Sequence, residues 1–172
     1  ARGGKGASDG GFAGPAAGGG AFGGGALLLG GNLRGVTISR NAAIPGASAL
    51  AAEDAYATAG IGPAEVDVVE CQDTDAAREL LSWQELGLCA PGEQARILAD
   101  GDAHISGARP INPSGGLLSK GEPLGASALG QVVELVHQLR GTAGARQVMG
   151  ARVALAHVVG RGANACVTIL SP

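Results

Sequence analysis

The stretch "NPSGGLLSKGEPLGAS", Asn112–Ser127, carries paired glycines, a lysine and a Gly-Glu-Pro triplet, and runs directly into an amphipathic segment. Paired glycines let backbone come close to a neighbour and expose N–H donors. The acid Glu122 stands between a glycine and a proline, where loop gives way to helix. Two readings follow from position alone. Glu122 is a site carboxylate held at a helix mouth, or it is a solvated anion favoured by the helix dipole. The segment after it, Leu124–Gly141, predicts the strongest helix of the chain. Leu129, Val132, Val133, Val136 and Leu139 recur at helical spacing, and Gly141 supplies a stop.

Moving outward, Val36–Ser39 alternates as a short strand and Pro45–Gly60 reads as a helix. Glu65–Glu70 is a strand, and Asp75–Gly87 a helix whose apolar side draws on Ala76, Leu80, Leu81 and Trp83. A shorter helix is expected at Gly92–Gly101 and an extended piece at "ARPIN". Two closing strands, Ala151–Val159 and Ala165–Leu170, are joined by the turn-rich "GRGAN". Strands alternating with helices predict an α/β domain with a mostly parallel sheet. Before residue 36 the chain differs, since 15 of its 32 glycines fall there. Such a segment has little side chain to bury and much backbone entropy to lose, so residues 1–35 read as a linker or tail and 36–172 as the domain. Ala26–Leu29 is the one run there with strand character.

The composition narrows the class. Hydrophobic residues make up 45% but aromatics only 2%, so the core is aliphatic. The net charge of −3 gives no electrostatic case for nucleic acid or an anionic membrane. No apolar run reaches bilayer length, and no secretory leader is read at the N-terminus. Cys71, Cys89 and Cys166 lack paired or metal-type spacing, which points to reduced thiols in a cytoplasmic protein. Each is expected to pack as a small apolar residue, although Cys71 has a nucleophile's position between a strand and a helix. His104 and His137 read as surface residues, and no metal-ligand spacing is present.

Three stretches together resemble the C-terminal half of the thiolase superfamily, nearest to its sterol-carrier-protein thiolase and lipid-transfer branch, which includes acyl-CoA aldolases. They are "AGIGPAEVDVVECQDTDAARELLSWQELGLCAPGE", "PINPSGGLLSKGEPLGASALGQVVELVHQLRG" and "GARVALAHVVGRGANACVTIL". The resemblance implies a βαβαβαββ half with a mixed sheet and helices packed on it. It also implies an active site completed by an N-terminal half, in the same or a separate chain, and an oligomer. Some members of that branch associate with a small zinc-ribbon/OB-fold acyl-CoA-binding protein. The substrate would be a CoA thioester, with no cofactor.

By position, Gly121-Glu122-Pro123 matches the family's Gly-His-Pro motif. Gln72 stands where the oxyanion-hole His or Asn falls, and Asp73 matches the acidic residue after it. His157 matches the histidine before the last hairpin. Ser114, Gly115, Gly116, Gly121 and Gly160 match loops lining the substrate. The resemblance thus implies Glu122 as base, Gln72 as oxyanion donor, and Asp73 and His157 as orienting or relay groups. Aldolase-like members of the branch carry Gly-Glu-Pro at this place, so the resemblance favours retro-aldol cleavage over thiolysis, a reaction that takes a hydroxyl proton and needs no cysteine nucleophile. Val159 stands where some aldolases place a tyrosine. Plain structural alternatives remain. Asp73 or Thr74 would N-cap the following helix, and His157 would be a satisfied core residue. The whole domain would be a non-catalytic subunit or an acyl-chain carrier.

Overall fold

The computed structural model describes residues 34–38, 42–43, 46–160 and 164–172. The glycine-rich head up to residue 33, with the Ala26–Leu29 strand expected there, and the Gly160–Asn164 turn interior lie outside the described residues. Five strands form one sheet: β1 (Arg34–Ile38), β2 (Ala42–Ala43), β3 (Val68–Glu70), β4 (Ala154–Gly160) and β5 (Asn164–Ser171). Their order is β1-β5-β4-β3, with β2 also on β5. β3 and β4 are parallel, while β5 is antiparallel to β1, β2 and β4. Only β5 therefore runs against the rest. This is the mixed sheet that a parallel α/β unit closed by a hairpin must give.

The strand pleat divides the core. Val69, Leu155, Val167 and Ile169 point to one face and pack with α1 (Ala47–Ala59), α2 (Ala76–Glu85) and α3 (Gln94–Asp100). Val68, Ala154, Ala156 and Leu170 point to the other and pack beneath α5 (Ser127–Leu139). The alternation follows from the two-residue period of a strand. Ala51, Ala52 and Ala55 are almost wholly buried, so α1 comes close to β5 on methyl groups alone. Gly60 ends α1 at φ 70°, the left-handed position expected of it. Among the described residues no helix is long and apolar enough to cross a membrane.

Three local expectations change. α5 buries Ala128, Leu135 and Val136, together with Gln131, Glu134 and Gln138, while Leu129 is 46% exposed. Of the predicted stripe, Val136 is buried and Val132 and Leu139 pack against the core, so the stripe fails at Leu129. The inward face also takes in Gln138, which is satisfied by Arg146 O and Val148 N. On α2, Trp83 is buried but Ala76 and Leu81 are exposed. A further short helix, α4 (Gly116–Lys120), lies inside the loop read as irregular.

Candidate active site

Four consecutive residues leaving β3 each hold the Asn112–Glu122 loop. Glu70 accepts from Ser114 N at 3.0 Å and from Ser114 Oγ at 2.6 Å. Cys71 N donates to Asn112 Oδ1 at 2.8 Å. Gln72 Nε2 donates to Glu122 Oε1 at 2.6 Å. Asp73 Oδ1 accepts from Leu117 N at 2.7 Å. A strand exit and a loop 41 to 50 residues apart along the chain are therefore joined by side chains in register.

Gln72 is fixed at every polar atom the backbone and amide offer. Val159 N donates to its Oε1 at 3.3 Å, which turns Nε2 toward Glu122. Ser82 Oγ donates to its carbonyl, and its own N–H points to His157 Nδ1 at 3.5 Å. The position expected to carry an aldolase tyrosine thus contributes a backbone N–H instead, for which the valine side chain is immaterial. A primary amide has two N–H bonds on one nitrogen, and a single one serves Glu122 in this pair. Glu122 itself is exposed at the rim, and Gly121 and Pro123 on either side line a groove of about 500 Å³ with Ser114, Leu117 and Lys120. No side chain caps α5, which begins only at Ser127. The carboxylate faces Gln72 rather than the helix.

Asp73 does not cap α2. Asp75 does, accepting from Arg78 N at 2.9 Å. Asp73 turns the other way, and burial pushes its carboxyl above the usual range despite hydrogen bonds from Leu117 and Leu118 N–H. Gly116 lies at φ +64°, and a Cβ there would overlap the Asp73 carboxylate. The glycine pair is thus needed for close approach, while Gly115 and the β4 end residue Gly160 are exposed. Ser114 Oγ is occupied by Glu70 below and by Lys120 Nζ at 2.6 Å above. Burial raises the Glu70 carboxyl, partly offset by Ser114 and Lys120.

His157 is fully buried behind Gln72. Because a backbone N–H can only donate, Nδ1 is the acceptor and the ring proton sits on Nε2, 3.0 Å from Ser48 Oγ. Burial, and the Arg78 charge behind Ser48, pull its pKa down to about 3. The imidazole is neutral and holds the Gln72 main chain; it does not itself face the groove. The unfolded chain takes up this proton near the ordinary pH of 6.5, the folded chain only near 3. Stability from this residue is therefore complete above pH 6.5 and falls as pH drops through that window. From pH 6.5 to 5 the loss is about 2 kcal/mol. His157→Asn keeps an acceptor for Gln72 N, so urea titrations at pH 7 and 5 should show a pH-dependent loss smaller by that amount than in the parent chain. Equal losses would show that this imidazole is protonated as easily folded as unfolded. The raised carboxyls of Glu70, Asp73 and Glu79 act oppositely in both chains and cancel in the difference.

Cys71 is buried, and its thiol is pushed up by burial and by the Glu79 and Asp73 charges, the reverse of an activated nucleophile. Cys89 and Cys166 are half-buried and form no disulfide among the described residues, and His104 and His137 are exposed. Among the described residues no group of three or more His, Cys, Asp or Glu could hold a metal. Sequence reasoning missed Glu70, Ser48 and Asn112. Asn112 is the single non-glycine residue at positive φ (50°) among those described. Its Nδ2 also donates to Glu79 Oε1 at 3.2 Å. An acid ending the otherwise apolar "VDVVE" was the available signal for Glu70. Nothing local marked Ser48, which lies 109 residues from His157.

A three-layer α/β unit with a polar pair at its strand exits, facing a glycine-turned loop, defines a thiolase-type half. The family model for the thiolase C-terminal domain-like family matches residues 36–172, and the chain belongs to that family. Sterol carrier protein 2 of Rattus norvegicus is 50% identical over 119 residues, covering 69% of this chain and 22% of that protein. An acetyl-CoA acetyltransferase of Methanothermobacter thermautotrophicus is 42% identical over 126 residues, covering 73% and 33%. The chain thus spans about a fifth to a third of the length of these relatives. Among solved structures, the Ltp2-ChsH2(DUF35) aldolase superposes with TM-score 0.67 at 26% identity, over 81% of this chain and 38% of that one. Human mitochondrial 3-ketoacyl-CoA thiolase shares the fold at TM-score 0.56 and 23% identity, over 81% and 29%.

Proposed function

We propose that this domain forms one wall of an acyl-CoA carbon–carbon bond site, with retro-aldol cleavage as its reaction. The observation that carries this reading is the 2.6 Å Gln72–Glu122 pair, an amide donor and a carboxylate side by side, with Gly121 and Pro123 on either side of the carboxylate lining the groove. Glu122 takes the proton of a β-hydroxyl. The Cα–Cβ bond breaks, its electron pair moves onto the thioester as an enolate, and the β-carbon departs as a carbonyl compound. Gln72 Nε2–H faces the enolate oxygen. Protonation at Cα by the acid form of Glu122 restores the base and releases an acyl-CoA. No cysteine enters, which suits a chain whose nearest thiol, Cys71, is deactivated by burial. That one of the superposed structures is an aldolase supports the same preference over thiolysis.

The site is half a site. Leu118, Leu124, Leu129 and Met149, on and around the outer face of α5 and its approach loop, are 46–87% exposed. They favour a second thiolase half seated there, which would exclude water from the Glu122 rim. An accessory acyl-CoA-binding protein and cytoplasmic placement belong to the same proposal. The test is substrate choice. The domain, assembled with an N-terminal half in one chain or two, is given a 3-hydroxyacyl-CoA without free CoA, or a 3-oxoacyl-CoA with it. Cleavage of the hydroxy substrate to a carbonyl compound and a shorter acyl-CoA is expected. Faster turnover of the oxo substrate would assign thiolysis. Silence from a well-assembled complex would make the domain a non-catalytic subunit.

A further inference from the structure

A closed circuit of hydrogen bonds surrounds the main chain of Gln72. Its N–H points to His157 Nδ1, and His157 Nε2 lies 3.0 Å from Ser48 Oγ. Arg78 Nη2, reaching from α2 to α1, donates to the same Ser48 Oγ at 3.1 Å. The circuit returns through Ser82 Oγ, which lies 2.9 Å from Arg78 O and 3.2 Å from Gln72 O. Ser48, Ser82 and His157 are all buried, so bulk water does not compete for these bonds. Arg78 Nη2 also meets Glu85 Oε2 at 2.6 Å, but its Nε is buried with no hydrogen-bond partner. An unpaired buried donor costs stability, so stability alone is a poor account of where this guanidinium sits.

The circuit decides which imidazole nitrogen carries the proton. A guanidinium N–H can only donate, so Ser48 Oγ accepts from Arg78, and it accepts again from His157 Nε2–H. A hydroxyl oxygen has two lone pairs. Both are then engaged, which turns the hydroxyl's own proton away from the imidazole. Without Arg78 that proton can point at Nε2. The imidazole proton then belongs on Nδ1, where it opposes the Gln72 N–H, donor against donor. We infer that Arg78 is a positioning residue for Gln72: through Ser48 it selects the Nε2–H tautomer of His157, and that tautomer seats the main chain whose amide reaches Glu122. The catalytic consequence rests on the reading of Gln72 as enolate donor; the tautomer does not.

The test reads the tautomer first. In the assembled enzyme with isotope-labelled histidine, the His157 signals are those missing from His157→Asn, and their nitrogen shifts tell which atom is protonated. The parent should carry the proton on Nε2. Arg78→Met should move a resolvable share of it to Nδ1, and Arg78→Lys, which keeps a cationic donor, should move less. On a Ser48→Ala background Arg78→Met should change nothing further. Turnover of a 3-hydroxyacyl-CoA by Arg78→Met should fall at least about tenfold with KM held, short of the roughly 10²–10³ that loss of an oxyanion donor costs. A parent proton on Nδ1, or an unchanged tautomer in Arg78→Met, would overturn the inference whatever the reaction. A shifted tautomer with unchanged turnover, in an enzyme that Glu122→Gln does slow, would overturn the link to Gln72. If Glu122→Gln does not slow it either, the reaction reading falls and the selected tautomer stands.

Discussion

Glu122→Gln in the assembled enzyme should lower turnover of a 3-hydroxyacyl-CoA by about 10²–10⁴-fold, the usual worth of a positioned general base. The substitution is nearly isosteric, and its new amide oxygen can still accept from Gln72 Nε2, so the resting pair survives. Glu122 is exposed, and its sole side-chain partner among the described hydrogen bonds is Gln72, so unfolding free energy should move by no more than about 0.5 kcal/mol. Substrate affinity should hold while the rate of the bond-breaking step falls, since the proton is moved only in the transition state. Single-turnover measurements with a 3-hydroxyacyl-CoA separate the two. A loss below threefold would mean that Glu122 orients Gln72 and abstracts nothing.

The elements that position this site were legible because they obey local rules. Gly60 ends α1 where a left-handed residue is required, and Asp75–Gly87 brackets α2. The closing strands form the antiparallel pair that their short spacing implied. What misled was side-chain satisfaction across the fold. The α5 stripe was drawn through Leu129 because leucine reads as core, but Gln131, Glu134 and Gln138 take the inward positions. Glu134 is held by Arg146, and Gln138 by main chain as well. No periodicity can foresee that Glu134 and Gln138 are buried against partners beyond the helix, or that Gln131 is buried with neither amide atom hydrogen-bonded.

The site was legible as a set of positions and illegible as a network. Gln72 and Glu122 meet, and Asp73 reaches the same loop at Leu117, at positions the family resemblance singled out, but the reasons lie in partners 44 to 109 residues away. Asp73 could not be told from a helix cap by sequence, since Asp75 offers the same chemistry two residues on. Only the geometry gives Asp75 the cap and turns Asp73 to Leu117. His157 looked equally suited to a relay or to the core. Its Nδ1 faces a main-chain N–H and its Nε2 faces Ser48, which makes it the support of Gln72.

That support can be broken from a residue without a side chain. Gly116→Ala should destabilise the domain by about 2.5–5 kcal/mol, the sum of two separable costs. A left-handed alanine at φ +64° costs about 1–2 kcal/mol. The added Cβ also falls on the Asp73 carboxylate, which must leave Leu117 N; a lost charged hydrogen bond in a buried setting is worth about 1.5–3 kcal/mol. Gly60→Ala isolates the first cost, because that residue is left-handed at φ 70°, ψ 29° and nothing lies within 4 Å. It should lose only the conformational part. Asp73→Ala isolates the second: on that background Gly116→Ala meets no carboxylate and should also cost only the conformational part. The double-mutant cycle, read from urea titrations, should therefore give a coupling of about 1.5–3 kcal/mol between residues 73 and 116. A coupling near zero would mean that the Asp73 side chain moves aside freely. Asp73 would then not be what fixes Gln72 against Glu122, and the loop would owe its position to the Glu70–Ser114 and Cys71–Asn112 bonds.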